Sequence, residues 1–309
     1  MKEFFNIVFS VGFGYSILRV TTPILFAALG ALISDKAGVI NIALEGIMLI
    51  SALTGVVFSA LTGSAWMGLL AAIVIGALIG IVLAYFSLNL RTDIILAGIA
   101  LNLMAGGGTI FFLYLVAKDK GISTSLKSGV LPKLTIPLIN KIPVLGPILS
   151  GHNVLTYVSL IAVIAVSYFL YKTPLGLRIR SVGENPDAAA SVGVNVIKIK
   201  YIALTLSGVF AGLGGAYMSM GYVSWFSKNM TAGRGFIALA AEAMGAGTPI
   251  GTFLTSLLFG FADSLSNSLQ SLKIPAEFVQ MIPYVATIVG LVIYATRKSA
   301  QVKKVRREN

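Results

Sequence analysis

No cysteine occurs anywhere in the 309 residues, which excludes disulfides, thiolate nucleophiles and cysteine-bound metals. Histidine is almost as scarce. The single one, His152, cannot by itself furnish a zinc or haem site, and it leaves no serine, histidine and aspartate constellation to assemble. Charge is thin as well: Asp, Glu, Lys and Arg make up 11% of the chain against 57% hydrophobic residues. A mean hydropathy of +0.92 lies well beyond what a water-facing surface tolerates. No G-x-x-x-x-G-K-[ST] run exists, so the chain has no phosphate cradle of that kind and cannot hydrolyse ATP unaided.

What fills the chain instead is long apolar runs, at roughly residues 20–34, 40–62, 65–88, 94–117, 154–171, 199–222, 250–270 and 278–296, with a shorter piece at 234–245. A run of about 20 residues crosses a hydrocarbon core of about 30 Å as a helix. The expected fold is therefore all-α, a polytopic transmembrane helical bundle of about 8–10 membrane segments, some short or broken. The opening MKEFFNIVFSVGFGYSILRV starts like a signal sequence, but no small-residue cleavage site follows, and it is read as retained. Whether residues 1–15 form a crossing or an interfacial piece stays open at this level.

The formal net charge of +12 would suggest nucleic acid in a soluble domain. Here the basic residues cluster between and after the apolar runs, a pattern of membrane orientation that calls for no nucleic-acid partner. Lys172, Arg178, Arg180, Lys198 and Lys200 form one cluster; Arg297, Lys298, Lys303, Lys304, Arg306 and Arg307 form another. Both are expected in the cytoplasm, the C-terminus included, with the chain multi-pass in the cell membrane. The loop 118–153 then faces outward, and Pro132, Pro137, Pro143 and Pro147 predict that it is irregular and partly extended. Residues 1–309 read as one membrane domain with a cytoplasmic segment at 178–200, that outer loop, and a basic tail at 297–309.

One polar interruption, SVGENPDAAASVGVNVIKIK, predicts a short capped helix. Asn185 suits the N-cap, Pro186 the first helical position and Asp187 the positive end of the helix dipole. Ala188 to Val192 propagate it and Gly193 ends it. It is either an ordinary capped loop or a small-sided helix for a partner to press against.

Several polar groups lie inside the apolar runs. Glu45 falls in the second, with Asn41 one helical turn before it on the same face; a carboxylate at that depth needs a partner or an aqueous cavity. A structural hydrogen bond, a pathway contact and a protonation site all stay open. Glu242 belongs to the short apolar piece that ends at Gly245-Ala246-Gly247-Thr248-Pro249, which is either a helix broken within the membrane or a tight turn at its surface. Asn102 in the fourth span is a further pathway candidate, whereas Asp263 and Asn267 read as structural. Phe236, Trp225 and Tyr222 could stack on a flat ring, although an interfacial role is the preferred reading for the last two. Gly208, Gly212 and Gly215 on one span, and Gly76 and Gly80 on another, predict close helix approach.

The segment GENPDAAASVGV, followed by FAGLGGAYMS, resembles the coupling-helix region of ABC importer permeases of the branched-chain amino acid and ribose type. The resemblance continues through AGVINIALEGIML, GRGFIALAAEAMG and QMIPYVATIVGLV, from about Thr22 to Arg297, and these phrases are most similar to the simple-sugar and nucleoside permease branch. It implies a permease that works by alternating access and has no catalytic residues or cofactor of its own. ATP and magnesium would sit in a separate ATP-binding subunit, contacted by Gly183, Glu184, Asn185, Pro186, Asp187, Ala188, Ala189 and Gly193. A second permease in a pseudo-heterodimer and a substrate-binding lipoprotein are implied too. Asn41, Glu45, Asn102, Phe236 and Glu242 would line the pathway, with nucleosides the first expectation for substrate and simple sugars the second. Family members often carry Gly where Ala43 stands. The competing reading is a proton- or sodium-coupled carrier using Glu45 and Glu242, which would need no partner on α-helical segment 186–192.

Overall fold

A computed structural model describes residues 10–137 and 145–269, together with scattered positions between 281 and 296. The expected span at 278–296 and the basic tail fall largely or wholly outside the described residues. Helix α1 covers Val11–Asp35, begun by the Ser10 side chain accepting from the Phe13 amide. Its 25 residues reach about 37 Å, so Val11 to Tyr15 continue a crossing helix. After it come α2 (Leu44–Thr62), α3 (Ala65–Ala84, prolonged by a π-helical turn, Tyr85–Asn89) and α4 (Ile94–Ala117).

A two-residue strand, β1 (Lys133–Leu134), the single helical turn α5 (Leu145–Leu149) and β2 (His152–Asn153) lead to α6 (Val154–Lys172). Then follow α7 (Pro174–Glu184), α8 (Pro186–Ser191), α9 (Val196–Tyr217, prolonged by a π-helical turn, Met218–Tyr222), α10 (Arg234–Met244) and α11 (Pro249–Leu269). Six described helices, α1 to α4, α6 and α9, are long and apolar enough to cross a membrane. The 21-residue α11 and the short α10 come in addition.

Helix α1 is the axis of the bundle: it touches α9, α11, α10 and α6, and from Val20 to Ser34 every residue is buried. The most intimate pair is α3 and α9. A Cβ built on Gly76 would strike the Gly208 carbonyl, one on Gly208 the Gly76 carbonyl, and one on Gly80 the Leu204 carbonyl. Gly76 and Gly208, one from each glycine set singled out in the sequence, thus face each other, and backbone lies on backbone where any side chain would hold the helices apart, whereas Gly215 packs on the Met48 carbonyl of α2.

The loop 118–137 is partly extended, as its prolines predict, and is stitched to the turn after α9. Ser123 and Phe226 exchange hydrogen bonds, the Leu131 amide donates to the Met220 carbonyl, and β1 pairs antiparallel with β2. This is the long-loop end of the bundle; α7 and α8 mark the opposite, basic end.

Candidate functional site

Two stretches cross the bundle without staying helical, and their helices start deep inside it. After α1 ends at Asp35, the chain turns at Lys36–Gly38 and runs back inward without helix until α2 opens at Leu44, a fully buried residue. After the π-turn at Tyr222, an irregular stretch runs in from the long-loop end until α10 opens at Arg234. Depth follows from the neighbours. Asn102, eight residues into α4, lies about 12 Å from that helix's start, and Ser207, eleven into α9, about 16 Å from its start. Both values approach the middle of a core about 30 Å thick.

An interior helix start exposes backbone groups that lipid cannot satisfy. Asn102 answers two of them: its Oδ1 accepts from the Gly46 amide at 2.8 Å and its Nδ2 donates to the Ile42 carbonyl at 2.9 Å. Asn41 answers a third, its Oδ1 accepting from the Ala43 amide at 3.1 Å while its Nδ2 donates to Ser207 Oγ at 2.9 Å. Glu45 serves the other opening. Its Oε1 accepts from the Gly233 amide at 2.8 Å and its Oε2 from the Gly235 amide at 2.7 Å. The carboxylate therefore stands in the first turn of α2 and at the head of α10 together, where the amide dipoles of both helices favour negative charge.

These contacts correct one geometric expectation. Asn41 does not share a helix face with Glu45, because α2 begins three residues after it; Asn41 belongs to the non-helical approach. The apolar residues around Asn41, Val39, Ile40 and Ile42, fit a helix and an extended run equally well, and hydropathy cannot separate them. Ala43 is fully buried in that approach, and the backbone of Gly98 lies so near that a Cβ there would meet the Ala43 amide at 3.2 Å.

Phe236, in the first turn of α10, is half exposed. Glu242 is buried near the other end of α10. The turn Gly245–Gly247 beside it abuts Lys36, whose Nζ lies 2.7 Å from where a Gly247 Cβ would stand. α10 is thus a half-length helix running from the bundle's interior to its basic end, as one of the two sequence readings has it. Gly235 permits the crossing with α2: a side chain there would overlap the Glu45 backbone.

At the basic end, α8 forms as its sequence predicts. Asn185 caps it, accepting from the Ala188 amide at 3.0 Å; Pro186 is its first residue, and Gly193 follows at φ +84°. Glu184, Asn185, Pro186, Asp187, Ala188 and Gly193 are exposed, and Ala189 is buried. Gly183 lies against the Lys36–Gly38 turn, with 3.0 Å between a built Cβ and the Gly38 amide. The residues 174–184 hold a helix the sequence reading missed, although its signal was present: Thr173 caps the Gly176 amide and Pro174 takes the first position.

Two arginines were also missed. Arg234 heads α10 and makes a 2.7 Å ion pair with Asp263 of α11. Arg19 of α1 lies over the Tyr222 ring, 4.4 Å from its centroid. A cavity of about 180 Å³ separates α1 from the irregular stretch, with Tyr222, Trp225 and Arg234 in its wall. The sign that marks them is a guanidinium inside a short apolar run, as in GRGFIAL.

Comparison with known proteins agrees with this architecture. The family model described as "Branched-chain amino acid transport system / permease component" matches residues 15–295. The nucleoside ABC transporter permease protein NupC of Lactococcus lactis is 38% identical over 290 residues, 90% of each chain. The guanosine ABC transporter permease protein NupQ of Bacillus subtilis is 40% identical over 289 residues, again 90% of each. Among solved structures, one described as an inward-facing metal-chelate type ABC transporter aligns with a TM-score of 0.51 at 15% identity, covering 97% of this chain and 88% of the other, a likeness of fold alone.

Proposed function

The chain belongs to the family of branched-chain amino acid transport system permease components, and on that premise we propose that it is the membrane-spanning subunit of an ATP-driven importer of nucleosides. The observation that carries the substrate class is the match over nine-tenths of both chains to two permeases named for nucleosides. The energy comes from a separate ATP-binding subunit holding ATP and magnesium. It grips the exposed face of α8 from the cytoplasm, where the C-terminus also lies. A binding lipoprotein delivers substrate to the long-loop end, and a second permease completes the pathway.

The contact chain supports alternating access. α8 follows α7, whose end at Gly183 abuts the Lys36–Gly38 turn, and Lys36 abuts the Gly245–Gly247 turn under α10. Movement imposed on α8 reaches both inner helix starts through these contacts, where the Glu45 carboxylate joins them. Phe236 and Glu242 lie on α10 and move with it; the hydrogen bonds of Asn41 and Asn102 keep the α2 start intact while they do. A carrier driven by protons would leave the exposed, capped α8 without use.

The test is to purify the complex through a tag on this chain and reconstitute it in vesicles with ATP on the side of α8. Labelled guanosine should accumulate against its gradient, and accumulation should stop without ATP. Uptake of glucose but of no nucleoside would move the substrate to sugars. Uptake that follows a proton gradient and ignores ATP would overturn the importer.

A further inference from the structure

A cavity of about 180 Å³ opens at the long-loop side of α10. Its apolar wall comes from Pro23 of α1, Met218 of the π-turn and Met230; its flat and polar wall from Tyr222, Trp225 and Arg234. Small-molecule sites that enclose a whole drug-sized ligand run to about 300 Å³ or more, so this one matches a single ring system. Trp225 stands at the rim, 43% exposed, with its indole available for stacking.

The charge around it does not balance. Arg234 lines the cavity and is matched by Asp263; Arg19, which touches the lining residue Tyr222 without lining the cavity itself, has no carboxylate within ion-pair distance among the described residues. Its Nη2 donates weakly to the Tyr222 hydroxyl at 3.4 Å, its guanidinium covers the ring, and its Nε is buried without a partner among the described residues. Arg19 stands eight residues from the start of α1, about 12 Å along the helix, too deep for free solvation. Arginine offers donors only. A ligand that meets Arg234 in the cavity wall must therefore bring an acceptor, carried on a flat ring that fits against indole and thioether.

We propose that this cavity is a base subsite within the permease, taking the carbonyl-bearing ring of a 6-oxopurine nucleoside. Trp225 stacks on the ring, and the Arg234 guanidinium in the cavity wall meets its O6 and N7 edge. Arginine pairs with both acceptors of guanine, whereas adenine presents an amino donor in place of O6. The ribose projects out of the cavity, which is too small for it. The inference rests on the nucleoside reading above and adds the part of the molecule that is recognised.

The absence of cysteine makes a direct test available. Ser227, which also lines the cavity, is replaced as Ser227→Cys, giving the full-length chain one thiol. Its rate of alkylation by a small uncharged maleimide is measured in the vesicle-reconstituted complex. With guanosine or inosine at ten times the dissociation constant, occupancy should slow alkylation about tenfold. Adenosine and ribose at the same concentration should protect much less. Adding Trp225→Ala should raise the guanosine concentration needed for protection roughly tenfold, the scale of one base-aromatic stack, while Trp225→Phe should retain it.

An alkylation rate indifferent to guanosine, or equally slowed by adenosine, overturns the subsite. Labelled guanosine uptake is followed in the same vesicles and keeps the two readings apart. Uptake without protection leaves the importer standing and removes the subsite, whereas protection without ATP-dependent uptake retains the subsite and removes the importer.

Discussion

Glu45 shows how a costly residue comes to be stable at mid-depth. Its two oxygens are both engaged by backbone amides of another element, so removing the side chain leaves the Gly233 and Gly235 amides buried and unmet. Each unmet donor costs about 1–3 kcal/mol. Glu45→Ala should therefore lower the unfolding midpoint of the detergent-purified chain substantially; Glu45→Gln, which keeps one acceptor, should fall between it and the unaltered chain. That a carboxylate here needed a partner was legible in the sequence. Which partner was not, because the amides it serves lie 188 and 190 residues away and carry no side-chain signal of their own. His152 makes a second case at the long-loop end. Its Nε2 meets the Ile148 carbonyl at 2.8 Å, the ring stacks on Tyr15 at 4.0 Å, and Nδ1 is buried without a partner among the described residues. Burial, aided by Arg19 and opposed by that carbonyl, holds the imidazole below its ordinary value of 6.5. The unfolded chain thus takes up a proton first as pH falls. Stability should be full above about pH 6.5 and decline below it until the folded imidazole titrates as well. Thermal unfolding at pH 7.5 and 5.5 should show this decline, and His152→Phe should lose most of it, a clean comparison since the chain has no other histidine.

At the scale of elements, glycine decides where helices meet. Gly208→Val would drive two methyl groups into the Gly76 backbone between α3 and α9, and overpacking of this kind costs about 1–3 kcal/mol. Reduced yield of monodisperse protein and a lower unfolding midpoint are expected. Gly107→Ala on α4 is the contrast: among the described residues nothing lies within 4 Å of its added carbon, and it should be neutral or stabilising by up to about 1 kcal/mol through helix propensity. The sequence disclosed α8 down to its capping residue because Asn, Pro, Asp and Gly act locally. It disclosed that the two glycine sets approach something, not that Gly208 meets Gly76 while Gly215 meets α2. It misplaced the start of α2, since apolar residues in an extended run inside a membrane read the same as apolar residues in a helix.

For the whole molecule, the two ends differ in chemistry and should differ in access. The stitched loop around Ser125 marks one end and the exposed Val192, 78% accessible, the other. Single cysteines at Ser125 and Val192 in this cysteine-free chain should react oppositely with a membrane-impermeant maleimide. Ser125→Cys should label in intact cells, Val192→Cys only after the membrane is opened; the reverse pattern would invert the assigned orientation. Membrane residence and helix content were readable from composition, because lipid imposes them on every segment alike. The interior cavity and the arginines near it were not, since they arise only once distant segments face one another.

One acid has a mechanical meaning for this arrangement. α10 is a stiff strut of eleven residues, planted at Gly247 beside Lys36 and fastened at its head to Glu45, which rides on the lowest turn of a second strut. That second strut, α2, extends to Ser59, whose hydroxyl holds the Gly129 amide of the opposite loop. A nudge at one mouth of the bundle is consequently felt at the other through two rigid members and a single carboxylate pin, and the two mouths are geared rather than independent.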